Sequence, residues 1–236
     1  MVGPMDRVVA SCDEAVADIP NGASIMIGGF GPPGVPVNLV RALRQRGLHD
    51  LVLIYCGGGT EEDGIGGLIA DGAVRKLITS FPVHPGAHAV RERYLQGEIE
   101  LEVVPQGTFV ERIRAAGAGL GGFYSPTGVG TELAAGKEVR LIDGRAFVLE
   151  LPLSADYALI KAFRADQWGN LVYRRTMRNF NPIMATAARM VIAEVDEVVP
   201  VGSLSPEEIE TPCLFVDRVV EVPRDWFRHA TSAERR

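Results

Sequence analysis

Four glycines within seven positions, Gly28, Gly29, Gly31 and Gly34, are the residues of this chain best placed to meet a large ligand. They lie in NGASIMIGGFGPPGVP, Asn21 to Pro36, where a short apolar run enters a glycine-rich turn ahead of a helical pattern. Glycines remove side chains where a ligand must approach the backbone, and the amides they expose suit an anion or a polarised carbonyl. Gly29, Gly31 and Gly34 also spell G-x-G-x-x-G, the spacing used for dinucleotides. A dinucleotide site wants an acidic residue about 20 positions on, at the end of the next strand, for the ribose hydroxyl. Here the next apolar run ends in Tyr55, Cys56 and Gly57, and Asp50 stands at its start, on the wrong edge. Pro32, Pro33 and Pro36 also carry no amide for a pyrophosphate. A turn that needs glycine only for its geometry remains open beside a loop that a bulky acyl carrier approaches. The second reading is favoured.

Other groups invite chemistry and carry bland readings as well. Glu61, Glu62 and Asp63 follow a second glycine turn, Gly57 to Gly59. They suit a general base, and equally a solvated loop tip. His84, His88 and Glu92 recur at i, i+4 and i+8, one face of a helix. Pro85 and Gly86 make His84 a helix-entry residue and no cysteine lies near, so a metal site is not expected. His49 and His229 read as surface residues. Cys56, between a strand and Gly57, could be a nucleophile but reads as a small buried residue. No G-x-S-x-G elbow occurs. Arg112 with Arg114, and Arg174, Arg175 and Arg178 beside Asn179, could pair with phosphates or a carboxylate. Solvated faces and intersubunit salt bridges fit them as well.

The elements that must position these residues follow from composition and pattern. The chain has 236 residues, 47% hydrophobic and 23% charged, which suits a globular protein of one domain spanning 1–236. A net charge of −6 argues against nucleic acid or an acidic membrane as partner. Cys12, Cys56 and Cys213 are odd in number, dispersed and without a CxxC pair, so no disulfide framework is expected. No signal-like leader is evident, and no apolar run approaches the roughly 18 residues of a membrane span. These features predict a reduced cytoplasmic protein.

Ser11 with Glu14 reads as a capping box for a helix through Ile19. Apolar runs at Ser24–Gly28, Asp50–Cys56, Lys76–Ser80 and Glu98–Val104 read as strands, alternating with helices at Pro36–Arg46, Ile65–Ala70, Gly86–Gln96 and Thr108–Ala116. The alternation predicts an α/β fold, an open and mostly parallel sheet with crossover helices. Ligands on such sheets sit at the carboxyl ends of strands, where all three glycine-rich loops, including Gly117–Gly130, are expected. Val139–Ile142, Asp143-Gly144 and Ala146–Leu151 predict a hairpin, the start of an antiparallel accessory portion. Further strands are expected at Ala158–Ala165, Leu171–Arg174, Met190–Val195 and Leu214–Val222, with a short helix at Pro182–Arg189. The end of the chain from about Arg228 is expected to fray.

The segment Asn21-Gly22, Ile25-Met26-Ile27, Gly28-Gly29-Phe30, Gly34-Val35-Pro36 resembles the first signature of the family I coenzyme A transferases at every defined position. Pro105-Gln106-Gly107-Thr108 with Glu111-Arg112-Ile113-Arg114, the loop from Gly117 to Gly128, and Arg178-Asn179-Phe180-Asn181-Pro182 resemble the alpha subunit of the same family. The likeness runs from about Val9 to Val222 and is nearest to the alpha subunit of 3-oxoacid CoA-transferases.

The resemblance implies a CoA thioester as substrate, no cofactor, and partnership with a CoA-transferase beta subunit. It implies that Gly28, Gly29, Phe30, Gly31, Pro32, Pro33 and Gly34 line the CoA site, with Gly57, Gly58, Gly59 and Gln106 in one wall of the active site. In the implied ping-pong reaction a glutamate attacks the thioester to give an acyl-glutamyl anhydride, and CoA returns to give a glutamyl-CoA thioester. That glutamate belongs to a Ser-Glu-Asn-Gly motif of the beta subunit. This chain has no such motif, so no catalytic residue is assigned to it. Tyr55-Cys56-Gly57-Gly58-Gly59 stands where the family has a Ser-Asn-Asn-Ala-Gly type segment, and the glycine amides are candidates to replace the missing polar groups. Two rivals follow: a sugar-phosphate isomerase or deaminase with Glu62 or Asp63 as base, and a CoA-binding subunit without catalysis.

Overall fold

The computed structural model describes residues 6–60 and 63–222. Glu61, Glu62, His229 and the expected frayed end lie outside them. The strands are β1 (Val8–Val9), β2 (Ser24–Ile27), β3 (Leu51–Ile54), β4 (Val74–Thr79), β5 (Glu100–Val103), β6 (Phe123–Ser125), β7 (Val139–Ile142), β8 (Arg145–Glu150), β9 (Ala155–Asp166), β10 (Leu171–Val172), β11 (Ala188–Val199) and β12 (Arg218–Glu221). The helices are α1 (Cys12–Ala15), α2 (Val37–Gln45), α3 (Ile65–Ala70), α4 (His88–Leu95), α5 (Gln106–Gly117) and α6 (Asn181–Ala185).

The main sheet has the order β1-β12-β11-β9-β2-β3-β4-β5, with β10 attached to β9. Every neighbouring pair is parallel except β10 with β9. A three-stranded antiparallel sheet, β6-β8-β7, forms the accessory portion. Asp143 and Gly144 turn its hairpin with φ of 49° and 76°, as a two-residue turn of the I′ type requires.

The strands read as continuous apolar runs because both faces of the sheet are covered. On one face Ile25, Ile27, Leu53 and Leu159 pack with Leu39 and Leu43 of α2. On the other Met26, Ile54 and Ile160 pack with Phe109 and Ile113 of α5 and Met184 of α6. Strand β9 pairs with β2 only as far as Ile27 opposite Leu159. Residues 160–166 therefore project past the carboxyl end of β2, still paired to β11 up to Val199 opposite Asp166.

Two expectations are corrected. The first helix stops at Ala15 rather than Ile19. Ser11 Oγ does cap Glu14 N–H at 3.1 Å, but beyond one turn the carbonyls of Val16 and Ile19 turn away to Arg46 Nη1, at 2.6 Å each. The glycine-rich segment Gly117–Gly130 follows α5 and leads into β6, so it does not lie at the carboxyl end of a main-sheet strand. Its glycines hide the short strand Phe123–Ser125, whose partner β8 is far along the chain. Among the described residues no helix is long and apolar enough to cross a membrane.

Candidate functional site

Strands β2, β3, β4 and β5 are neighbours, so the segments leaving their carboxyl ends lie along one rim. These segments are the Gly28–Gly34 turn, the Gly57–Gly59 turn, Ser80 to Ala87, and Pro105-Gln106. The rim carries exposed apolar side chains: Phe30 is 50% exposed, Phe81 61% and Val83 57%.

The first turn has a buried base and an exposed tip. Gly28, Gly29 and Gly34 are buried, whereas Phe30, Gly31, Pro32 and Pro33 face outward. Gly28 N–H still belongs to the sheet and donates to the Leu159 carbonyl at 2.9 Å. Phe30 N–H donates to the Pro33 carbonyl at 3.2 Å, which closes the tip. At Gly31 φ is +61° and a Cβ would meet nothing within 4 Å, so the backbone there is open to an approaching group.

What holds the base is Arg178-Asn179-Phe180-Asn181-Pro182. Asn181 Nδ2 donates to the Gly34 carbonyl at 3.0 Å and to Met177 O at 2.7 Å, while its Oδ1 accepts Lys161 N–H at 2.8 Å. Asn179 Nδ2 donates to the Pro33 carbonyl at 2.9 Å. The Phe180 ring lies 6.2 Å from Phe30, stacked, and 5.6 Å from Phe109, edge-on. One aromatic therefore joins the exposed tip to the core beneath α5.

The exit of the turn is fixed from the other face. Pro36 gives α2 no side-chain cap. Glu194 of β11 supplies one: its Oε2 accepts Asn38 N–H at 2.9 Å and Leu39 N–H at 3.0 Å. Glu194 is buried and also meets Lys161 Nζ at 3.3 Å, which reaches Asp196 at 2.6 Å. Sequence reasoning missed this trio; charges in the middle of two predicted buried strands, Lys161 and Glu194, were the available signal.

The second turn is locked by its neighbour strand. Thr79 Oγ1 donates to the carbonyls of Cys56 and Gly57 at 3.1 and 3.0 Å, and Ser80 Oγ to Cys56 at 3.0 Å. A Cβ on Gly58 would lie 2.1 Å from the Pro82 carbonyl. Burial pushes the Cys56 thiol up to about 11, which keeps it protonated and unreactive at neutral pH. Asp63 is not a solvated tip. It is buried and accepts Thr60 N–H and Ile65 N–H, both at 2.9 Å, tying the turn to the start of α3. Burial raises its pKa against the pull of those bonds. Held by these bonds, Asp63 is a poor base for an isomerase or deaminase.

Gln106 opens α5 and is exposed at the rim. Of the arginines, Arg112 is fastened to Glu102 at 2.8 Å and to the Leu151 carbonyl at 2.9 Å, Arg114 to Glu111 at 3.1 Å and Arg178 to Glu210 at 2.5 Å. Arg174 lies over the Phe163 ring at 5.3 Å. His84 contacts the Pro85 carbonyl at 2.9 Å and stacks on Phe81 at 6.1 Å, while His88 begins α4. Among the described residues no group of three His, Cys, Asp or Glu side chains could hold a metal ion.

A family model described as coenzyme A transferase matches residues 9–222. The chain belongs to the coenzyme A transferase family. It is 52% identical over 218 residues to the alpha subunit of 3-oxoadipate CoA-transferase from Pseudomonas putida, across 92% of this chain and 94% of that one. The corresponding protein of Acinetobacter baylyi, which carries the same name, is 49% identical, across 92% and 96%. Among solved structures, the decarboxylase AibA/AibB superposes with a TM-score of 0.78 at 29% identity, across 93% of this chain and 84% of that one. The acyl-CoA transferase YdiF of E. coli, solved as a thioester complex with CoA, gives 0.81 at 22% identity. This chain aligns over 92% of its own length and spans about half of YdiF, 47%, a likeness of fold.

Proposed function

We propose that this chain is the alpha subunit of a 3-oxoacid CoA-transferase, which moves CoA between succinyl-CoA and a 3-oxo acid such as 3-oxoadipate or acetoacetate. The observation that carries the reading is the turn at the end of β2: a tip open at Gly31, mounted on a buried base, in a chain 52% identical to the alpha subunit of a 3-oxoadipate CoA-transferase. The thioester lies along Phe30 to Pro33, with Gly57 to Gly59 and Gln106 forming the wall beside the reacting carbonyl. Gly28, Gly29 and Gly34 serve the site from beneath, by keeping the turn in place.

The nucleophile comes from the partner, the beta subunit. Its glutamate carboxylate attacks the thioester carbonyl and expels the CoA thiolate, leaving an acyl-glutamyl anhydride. The thiolate then attacks the glutamyl carbonyl of the anhydride and releases succinate, which leaves a glutamyl-CoA thioester. The 3-oxo acid carboxylate takes the CoA by the same two steps in reverse. Covalent catalysis splits one poor displacement into easier ones, and binding of the long CoA carrier, remote from the reacting carbon, supplies much of the stabilisation. The role of this chain is to hold the carrier and orient the carbonyl. The test is succinyl-CoA exchange by the assembled pair against a panel of 3-oxo acids. Transfer to at least one of them is expected, and none by this chain alone. Inertness of the pair toward the whole panel would overturn the reading.

A further inference from the structure

One carboxamide touches both ends of the glycine turn. Asn181 is fully buried, and each polar atom of its side chain is used. A Cβ placed on Gly28 would sit 1.8 Å from Asn181 Oδ1, and one placed on Gly34 would sit 2.8 Å from Asn181 Nδ2. The entry and exit of the turn thus close around the same amide. That amide is in turn fixed to Lys161 N–H, on the part of β9 that projects past β2. The tip between the two glycines is left exposed.

We propose that Asn181 is a positioning residue for the acyl-CoA thioester: it never touches the ligand, and it holds Gly28 and Gly34 so that the tip meets the carrier already formed. The proposal rests on the function argued above for the turn. A preformed loop spares the ordering cost of binding, so losing the clamp weakens thioester binding more than it slows chemistry performed by the partner's carboxylate. The clamp also explains why position 28 is glycine although it lies at the end of a strand with φ outside the left-handed region: the space of its side chain belongs to Asn181.

The test uses the assembled pair with Asn181→Ala, and with Asn181→Asp as a second variant that changes almost no volume. Asn181→Asp keeps the acceptor for Lys161 N–H but turns an oxygen toward the carbonyls of Gly34 and Met177. Hydrogen exchange is followed over residues 28–35, with succinyl-CoA affinity, KM and kcat. Both variants are expected to speed exchange in that segment. KM and the dissociation constant should rise roughly tenfold, the scale of one or two net hydrogen bonds, with kcat within about twofold. The double variant Gly28→Ala with Asn181→Ala relieves the 1.8 Å clash, so it should fold at least as well as Gly28→Ala yet keep the raised KM. Unchanged exchange in Asn181→Asp would overturn the clamp. Faster exchange with unchanged KM, or a double variant with normal KM, would reduce Asn181 to packing. Because affinity is measured directly, a pair that binds the thioester and transfers nothing refutes the reaction and still reads the clamp.

Discussion

Gly31 and Gly28 are both glycine for different reasons, and the difference sets what each substitution does. At Gly31 the backbone is left-handed with empty space around it, so a side chain meets no atom and costs only backbone strain, roughly 1–2 kcal/mol. That strain, and a branched side chain where the thioester should lie, make Gly31→Val a probe of function. We expect the variant to assemble with an unchanged circular-dichroism spectrum and to lose transfer at least a hundredfold. Turnover equal to the parent enzyme would remove the tip from the reaction. The glycine spacing was legible in the sequence because left-handed turns leave few other choices. The reason for Gly28 was not: its neighbour Asn181 is brought to it only by the crossover from β9 through α6. Asp63 was misread for the same kind of reason, since a cap and a solvated tip have the same local sequence.

At the level of elements, the turn is only as firm as the helix that follows it. Strand β11 reaches under α2 with Glu194, the cap that Pro36 cannot supply. Removing one member of a buried ionic group leaves the rest unpaired and costs ~3–5 kcal/mol. Lys161 retains Asp196, so Glu194→Ala should fall near 3 kcal/mol in urea unfolding, about the lower end of that range. Glu194→Gln, which can still accept one amide, should lose clearly less. Equal stability of Glu194→Ala and the parent would dismiss the cap.

A second tie joins the start of β2 to β9. Asp156 accepts Ser24 N–H at 3.0 Å and Ser24 Oγ–H at 2.6 Å, and these bonds hold its carboxyl below the ordinary 3.8. A depressed folded pKa means that the unfolded chain takes up the proton first as the pH falls. The contribution of this tie is therefore complete above the ordinary value and is lost as the pH drops through the folded one. Asp156→Asn should lower the urea midpoint at pH 6 and flatten its decline between pH 4 and pH 2. Parallel curves for variant and parent would refute the assignment. Strand and helix existence could be read from period and punctuation, since apolar runs such as LVLI are buried on both faces. The length of β9 and β11 could not, because Lys161, Glu194 and Asp196 break the apolar pattern and are tolerated only through one another.

Across the whole molecule, every candidate site residue on the carboxyl rim binds or orients, and Asp63, the described acid beside the second turn, serves the fold. The rim is open and partly apolar at Phe30, Phe81 and Val83. Such a surface has the character of half a site, in keeping with relatives that are named as one subunit of an enzyme and with a chain that spans half of YdiF. The family and the parallel sheet were legible from the segment ending at Pro36, whose pattern is dense enough to be specific. The Tyr55-Cys56-Gly57 stretch carried less information: Thr79 and Ser80, which fix its carbonyls, sit on the next strand. The central claim is that this chain shapes the thioester site while the attacking carboxylate belongs to another polypeptide. The most direct measurement is to mix the assembled pair with succinyl-CoA, quench within the first turnover, and map the CoA mass by peptide mass spectrometry. The adduct is expected on a glutamate of the beta subunit, with none on any peptide of this chain. An adduct on this chain, or a pair that binds CoA and never forms one, would contradict the claim.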